Sequence, residues 1–295
     1  MKYGSRASKA EVIYHPPTPL VTEKLASYEQ KLQQAAKRQQ IHLRQKTAAE
    51  LREMLKRKAL FLYFEPIICT KTMKTTGANA VLRLQRQGFG LIPAEHILTM
   101  AEDSAILTEI GCWMVKQILR WARKCPEDFV FTLKVNPYQL QDYKFTACIL
   151  NILSENSTAR GHLALMLASD DCEQQNDDED EVLKMLADNG VTFGIRHTSP
   201  EEQTNRLLES GFFSTLVIDK HVVAAMTQEQ LKYQNLTRLI EKAQSCRCKL
   251  RVTGIDSAAQ FMLCRKIGVD EMQGSFIGPA VKLTALQSRI RLPID

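Results

Sequence analysis

No run of eighteen apolar residues occurs in the 295-residue chain, so no segment reads as a membrane-spanning helix. The opening residues, MKYGSRASKAEVIYHPP, have no apolar stretch of the kind that forms a secretory signal. The eight cysteines (Cys69, Cys112, Cys125, Cys148, Cys172, Cys246, Cys248 and Cys264) follow no metal or disulfide spacing. The one close pair, Cys246-Arg247-Cys248, is too little for a structural zinc. Reduced thiols of a cytoplasmic protein are the expectation. No GxGxxG loop follows the first apolar strand. Spacing places no serine or cysteine beside any of the six histidines, so no Ser/His/Asp or Cys/His constellation emerges.

Acidic residues are scarce at one end. Residues 1–60 hold 13 lysines and arginines against 5 glutamates and no aspartate, while the remainder holds 26 basic and 28 acidic residues. The excess positive charge therefore lies in the N-terminal segment. Its first part contains His15-Pro16-Pro17-Thr18-Pro19, which reads as an extended arm. From Val21 to Lys58 there is no glycine or proline, and strong helix formers dominate. Apolar positions such as Leu25, Tyr28, Leu32, Leu43, Leu51 and Leu55 recur at helical spacing in a thin stripe. Three readings stay open for this helix: a solvated helix on its own domain, a partner-binding or homodimerising helix, or, more weakly supported, a nucleic-acid contact. The segment 1–58 is set apart as an arm plus basic helix, with a second domain over 59–295.

From Ala59 onward strands and helices alternate, as in βα units with a largely parallel sheet. Strands are predicted over Phe61–Ile68, Ala78–Leu84, Phe129–Val135, Leu163–Leu167, Thr192–Ile195, Thr215–Ile218, Lys249–Val252 and Glu271–Met272. Helices are predicted over Pro93–Glu102, Ile106–Lys124, Asp142–Glu155, Glu181–Asn189, Pro200–Ser210, Thr227–Ser245 and Ser257–Ile267. This succession suggests an α/β, TIM-like (β/α)8 barrel, with an open doubly wound sheet as the alternative. An acidic run over 170–181 lacks the EF-hand glycine and terminal glutamate and is read as a solvated loop.

Active-site residues of such a barrel project from the C-terminal ends of its strands. Six markers stand there in order. Phe64-Glu65-Pro66-Ile67 is similar to "YQPI", and Leu91-Ile92-Pro93-Ala94-Glu95-His96-Ile97 to "LIxPxEFI". Val135-Asn136-Pro137-Tyr138-Gln139-Leu140 stands at "NLSPxQL", and Leu216-Val217-Ile218-Asp219 at "LKID". Val252-Thr253-Gly254-Ile255-Asp256 stands at "AEGVE", and Gly268 to Phe276 with Pro279 at "GxDxxQGxxF…P". From Phe61 to Leu283 the chain thus resembles the EAL domain family of bacterial cyclic di-GMP phosphodiesterases.

The resemblance implies hydrolysis assisted by two divalent cations, held by carboxylates and an amide. It also implies that this chain is a degenerate member, since those positions have changed. Asn79 stands at the glutamate of the EAL motif, and Lys134 at the asparagine of "NLSP". Met166 and Ser169 occupy the acidic positions of "ELEITE", and Arg196-His197 replaces the aspartate pair of "DDFG". Val217 replaces the lysine of "LKID", and Thr253 the glutamate of "AEGVE". Two unit charges ~4 Å apart at an effective dielectric of ~20 interact by about 4 kcal/mol, so one arginine repels a divalent cation by about 8 kcal/mol. No catalytic residue, metal site or cofactor is therefore expected.

Met166 and Val217 then read as core filling, and Arg196-His197 as a salt bridge or loop end. The alternative is that Arg83, Lys134, Arg196 and Gln273 bind a phosphate-bearing nucleotide without metal or turnover. Degenerate members of the family act by protein contact. The expected function is thus that of a cytoplasmic bacterial regulator binding a regulatory protein, with a metal-independent cyclic di-GMP receptor as the alternative.

Overall fold

A computed structural model describes residues 37, 38, 41–86, 88–101, 105–172, 177–198, 201–219 and 230–291. The extended arm and the first part of the predicted basic helix lie outside them. The chain divides into two units, Met1–Lys46 and Thr47–Asp295. In the second unit residues 47–56 are helical. There Leu51 is fully buried, Ala48 joins the same apolar core, and Leu55 packs against it. These positions repeat at three and four residues, as one face of a helix requires. Arg52, at the edge of this face, donates to Glu109 from Nε at 3.1 Å and from a terminal nitrogen at 2.8 Å.

The burial of Leu51 shows that residues 47–58 supply core contacts within the unit Thr47–Asp295. Leu51→Ala is expected to lower the unfolding free energy by about 2–5 kcal/mol, the cost of a cavity in a packed core. Urea unfolding of the full chain followed by circular dichroism measures it, and an unchanged midpoint would show that the helix is dispensable.

Beyond the helix the described residues form nine strands: β1 Leu60–Cys69, β2 Thr75–Arg86, β3 Gly90–Pro93, β4 Val130–Lys134, β5 Leu163–Ala168, β6 Val191–Arg196, β7 Phe213–Asp219, β8 Lys249–Thr253 and β9 Glu271–Gln273. Their order is β1-β9-β8-β7-β6-β5-β4-β2-β3, and an additional β1–β2 pairing closes eight of them into a barrel. β3 stays outside as an edge strand on β2. Strands β4 to β9 run parallel to one another, whereas β1 is antiparallel to both of its neighbours. The reason is local. Only residues 70–74 connect β1 to β2, far too few for the crossover that a parallel pair needs. Met73 turns that connection with φ 57°, and the Cys69 amide donates to the Lys74 carbonyl at 3.0 Å.

The predicted barrel is present, with a reversed first strand that the alternating pattern did not disclose. The helices Ala105–Ala122, Tyr143–Glu155 and Gln230–Ser245 follow the pattern read from sequence. Three elements were not predicted: β3, the short helix Pro137–Gln141 and the helix Leu283–Arg291. The acidic run requires a correction. Asp170–Cys172 is a 3-10 turn and Asp177–Asp188 is a helix, so much of 170–181 is regular structure rather than loop. Carboxylates clustered at a helix start are stabilised by its exposed amides, and that preference outweighed the polar composition. No described helix is long and apolar enough to cross a membrane.

Apolar strand residues fill the layer between barrel and helices, where Phe64 and Phe131 meet edge to face with centroids 5.4 Å apart. The barrel interior is polar at one level. Arg251 on β8 and Glu271 on β9 are register partners, both buried, and join at 2.7 Å. Another Arg251 nitrogen donates to the Thr132 hydroxyl at 3.0 Å, and Lys249 reaches Glu271 at 3.4 Å.

Candidate ligand cleft

The C-terminal ends of β2, β4, β5 and β6 open into a cleft of about 310 Å³. One wall is apolar, with Leu82 from β2 and Leu107, Ile110 and Met114 from the helix Ala105–Ala122. The mouth is polar, with Asn79, Lys134, Asn136, Gln139, Asp171 and Arg196, and Glu95 also lines the space. Adjacent parallel strands set this grouping. Asn79 pairs in register with Thr132, Lys134 with Met166, and Ala168 with Arg196.

Each position has a local cause. Lys134 ends β4, and the chain turns at once into the helix Pro137–Gln141. Asn136 caps that helix: its side chain accepts from the Gln139 amide at 2.9 Å, and the Gln139 carbonyl oxygen accepts from the Asn136 amide at 3.2 Å. Pro137 follows the cap, where a missing N–H costs nothing. The Gln139 amide then donates to the Leu107 carbonyl at 3.0 Å, tying the cleft floor to its apolar wall.

Met166 is buried on Gly194. A Cβ at residue 194 would lie 2.4 Å from the Met166 methyl carbon, so the thioether fills the space above this glycine. Ser169 is fully buried and its hydroxyl accepts from the Thr198 amide at 3.0 Å. Gln203 donates to the Ser169 carbonyl at 2.7 Å, and the Thr198 hydroxyl donates to Asp170 at 2.5 Å. Ser169 is thereby part of a clamp between the segments following β5 and β6. Val217 is buried. Thr253 is half-buried and pairs in register with Asp219. His197 is directed away from chemistry: its Nδ1 lies 2.9 Å from the Thr204 hydroxyl. Burial pushes its pKa down, opposed by Glu201.

Of the four cleft candidates Arg83, Lys134, Arg196 and Gln273, the structure brings Lys134 and Arg196 together. Arg83 pairs with Pro93 on the edge strand and does not line the cleft. Gln273 is buried and donates to Glu65 at 2.6 Å. Sequence reasoning missed Asp171, which sits in the acidic run dismissed as loop, and Glu95, which lay inside the "LIxPxEFI" marker. Burial pushes the Asp171 carboxyl up, Asp170 adds to this, and Lys134 opposes it. The cleft thus holds two cations and two carboxylates, a balanced set.

This set does not fit a pair of divalent cations. Hard cations require oxygen donors converging from several sides. Here the positions concerned offer Met166, which is apolar, and Lys134 and Arg196, which are repulsive. Ser169 is engaged in its clamp. Among the described residues no group of three His, Cys, Asp or Glu could hold a metal ion.

The family model described as "EAL domain" matches residues 48–280. The chain belongs to the EAL domain family. Curated EAL relatives include the bifunctional diguanylate cyclase/cyclic di-GMP phosphodiesterase MucR of Pseudomonas aeruginosa, 22% identical over 80% of this chain and 36% of that protein. They also include the cyclic di-GMP phosphodiesterase PdeL of Escherichia coli, 20% identical over 74% of this chain and 62% of that one. The chain spans about a third of the length of the first such relatives. Among solved structures, the MucR phosphodiesterase complexed with cyclic di-GMP superposes with TM-score 0.72 at 21% identity, covering 82% of this chain and 99% of that one. The FimX EAL domain of Xanthomonas citri, also with cyclic di-GMP, gives 0.70 at 18% identity, covering 83% and 97%. These likenesses establish the fold, and the family places this EAL domain among cyclic di-GMP signalling proteins.

Proposed function

We propose that this EAL domain does not hydrolyse cyclic di-GMP and acts as a bacterial regulator by binding a regulatory protein. The observation that carries this reading is the cleft, where Lys134 and Arg196 stand at positions that resemble metal-ligand sites of the family. A divalent cation there would be repelled by both side chains, less by the exposed, solvent-screened Lys134 than by the half-buried Arg196. Met166 seated on Gly194 adds to this, because its thioether offers no oxygen to a hard cation. A scaffold kept without its chemistry retains surfaces, and protein contact uses surfaces. The helix before the barrel, of which 41–56 is described, is one candidate contact, in pairing with a partner or a second copy.

Incubating the full chain with cyclic di-GMP and magnesium or manganese is expected to yield no linear product above the blank. Turnover that rises with metal would overturn the reading.

The receptor reading has one observation in its favour, the shared cleft position of Lys134 and Arg196. Glu95 and Asp171 offset those charges, which disfavours a doubly anionic ligand. Isothermal titration with cyclic di-GMP in EDTA separates the two readings. Protein contact predicts no heat at high micromolar ligand, and a saturable signal lost in Lys134→Ala and Arg196→Ala would establish a receptor.

A further inference from the structure

We propose that Cys112 and Cys148 form a reversible intramolecular disulfide, making them an oxidation site on the cleft-lining helix. They sit on the helices Ala105–Ala122 and Tyr143–Glu155, which pack against each other. The approach is close. A Cβ at Gly111 would lie 2.8 Å from the Phe145 ring, so only glycine admits that contact. One turn earlier the Thr108 hydroxyl donates to Asp142 at 2.7 Å, pinning the start of the second helix onto the first. Cys112 follows this pinned stretch directly.

Each sulfur reaches the other residue's turn. The Cys112 thiol points at the Lys144 carbonyl at 3.9 Å, and the Cys148 thiol at the Cys112 carbonyl at 4.0 Å. The Cys148 sulfur thus lies against the main chain of Cys112 itself. A disulfide needs sulfurs about 2.05 Å apart, with Cα atoms roughly 4.4–6.8 Å apart. Both residues are half-buried, so a small oxidant reaches them.

The pair is also electronically unequal. The hydrogen bond from Cys112 holds Cys148 down to about 7, burial opposes this, and Lys116 helps it. The same bond pushes Cys112 up, with burial adding to it. Cys148 is therefore the attacking thiolate and Cys112 the resolving thiol. Cys248 also reaches the Cys246 carbonyl at 3.8 Å, but burial and Cys246 both push its thiol up, so it lacks an attacking thiolate. Cys248 directs its thiol to the Phe213 carbonyl at 2.8 Å, and burial pushes Cys264 up to about 11.

The step balances with a low-molecular-weight disulfide as oxidant. The Cys148 thiolate attacks one sulfur, forming a mixed disulfide and expelling a thiolate. The Cys112 sulfur, losing its proton to solvent, then attacks the Cys148 sulfur and expels the second thiolate. Two electrons pass from the protein to the oxidant, which leaves as two thiols. The bridge would fasten the helix that lends Leu107, Ile110 and Met114 to the cleft onto its neighbour.

The test uses the full chain equilibrated with oxidised glutathione, acid-quenched, alkylated and digested for mass spectrometry. A Cys112–Cys148 cross-linked peptide is expected, with loss of alkylation at both residues that dithiothreitol reverses. In Cys148→Ser, Cys112 is expected to stay alkylatable, and in Cys112→Ser glutathione is expected to remain on Cys148. The proposal is overturned if both thiols of the unmodified chain remain alkylatable, if glutathione persists on Cys148 there, or if the bridge forms between chains.

Discussion

Arg251→Met is expected to lower the unfolding free energy by about 3–5 kcal/mol, because it leaves a buried carboxylate without its partner. Glu271 is 7% exposed and has few alternatives, since Lys249 meets it only at 3.4 Å. The guanidinium also closes the barrel interior across its width. It joins Glu271 at 2.7 Å and donates to Thr132 on β4, the strand that pairs with β5 and β2. Replacing both charges by apolar residues of similar volume should recover most of the loss, as buried ion pairs exchanged whole for well-packed side chains are close to neutral. Urea midpoints of Arg251→Met and of the double variant Arg251→Met/Glu271→Leu decide it. A double variant as unstable as the single one would show that Thr132 and shape, rather than charge, govern the site.

Gly274→Ala is expected to be comparably severe, costing about 4 kcal/mol or more and giving insoluble or molten protein. Gly274 has φ 151°, and a Cβ there would meet the Ile255 backbone oxygen at 2.2 Å and nitrogen at 2.3 Å. These are main-chain atoms held in place. The Ile255 amide donates to the Gln273 carbonyl at 3.0 Å, and the Phe276 amide to the Ile255 carbonyl at 3.0 Å. Neither side can give way without breaking that pairing. Gly278→Ala makes the informative comparison, because its Cβ would meet the flexible Arg289 side chain instead of backbone. Soluble, cooperatively unfolding Gly274→Ala protein would refute this account of the contact.

Much of this architecture was legible because it rests on periodicity. The alternation of apolar strands with helical segments specifies a barrel, and the positions at strand ends follow from it. Lys134 and Arg196 were foreseeable in one place for that reason: each ends a parallel strand, and parallel strands align their ends. Other features depend on pairs distant in sequence. Nothing local marks Arg251 as buried, since one arginine in a five-residue strand reads as an edge or solvent position. Its partner Glu271 sat in a strand of three residues. Asp171 was hidden by composition, because an acidic run reads as solvated whatever one member of it faces. Gln273 was placed in the cleft by its motif, whereas its hydrogen bond to Glu65 depends on how β1 and β9 meet. The reversed direction of β1 follows from a connection of five residues, a length that carried more information than the strand itself.

The antiparallel first strand also sets the order in which the chain can assemble on a ribosome. β1 and β2 form a hairpin as soon as they emerge, but the other edge of β1 pairs with β9, and Glu65 and Gln273 are 208 positions apart. At ~5–20 residues per second, that edge waits on the order of 10–40 s for its partner. During this time it presents unpaired amides and carbonyls, the surface from which sheet-to-sheet aggregation starts. The stretch that pairs with β9 includes Ile67 and Ile68, both buried in the finished fold. Slow translation of the distal half therefore lengthens the exposure of this edge.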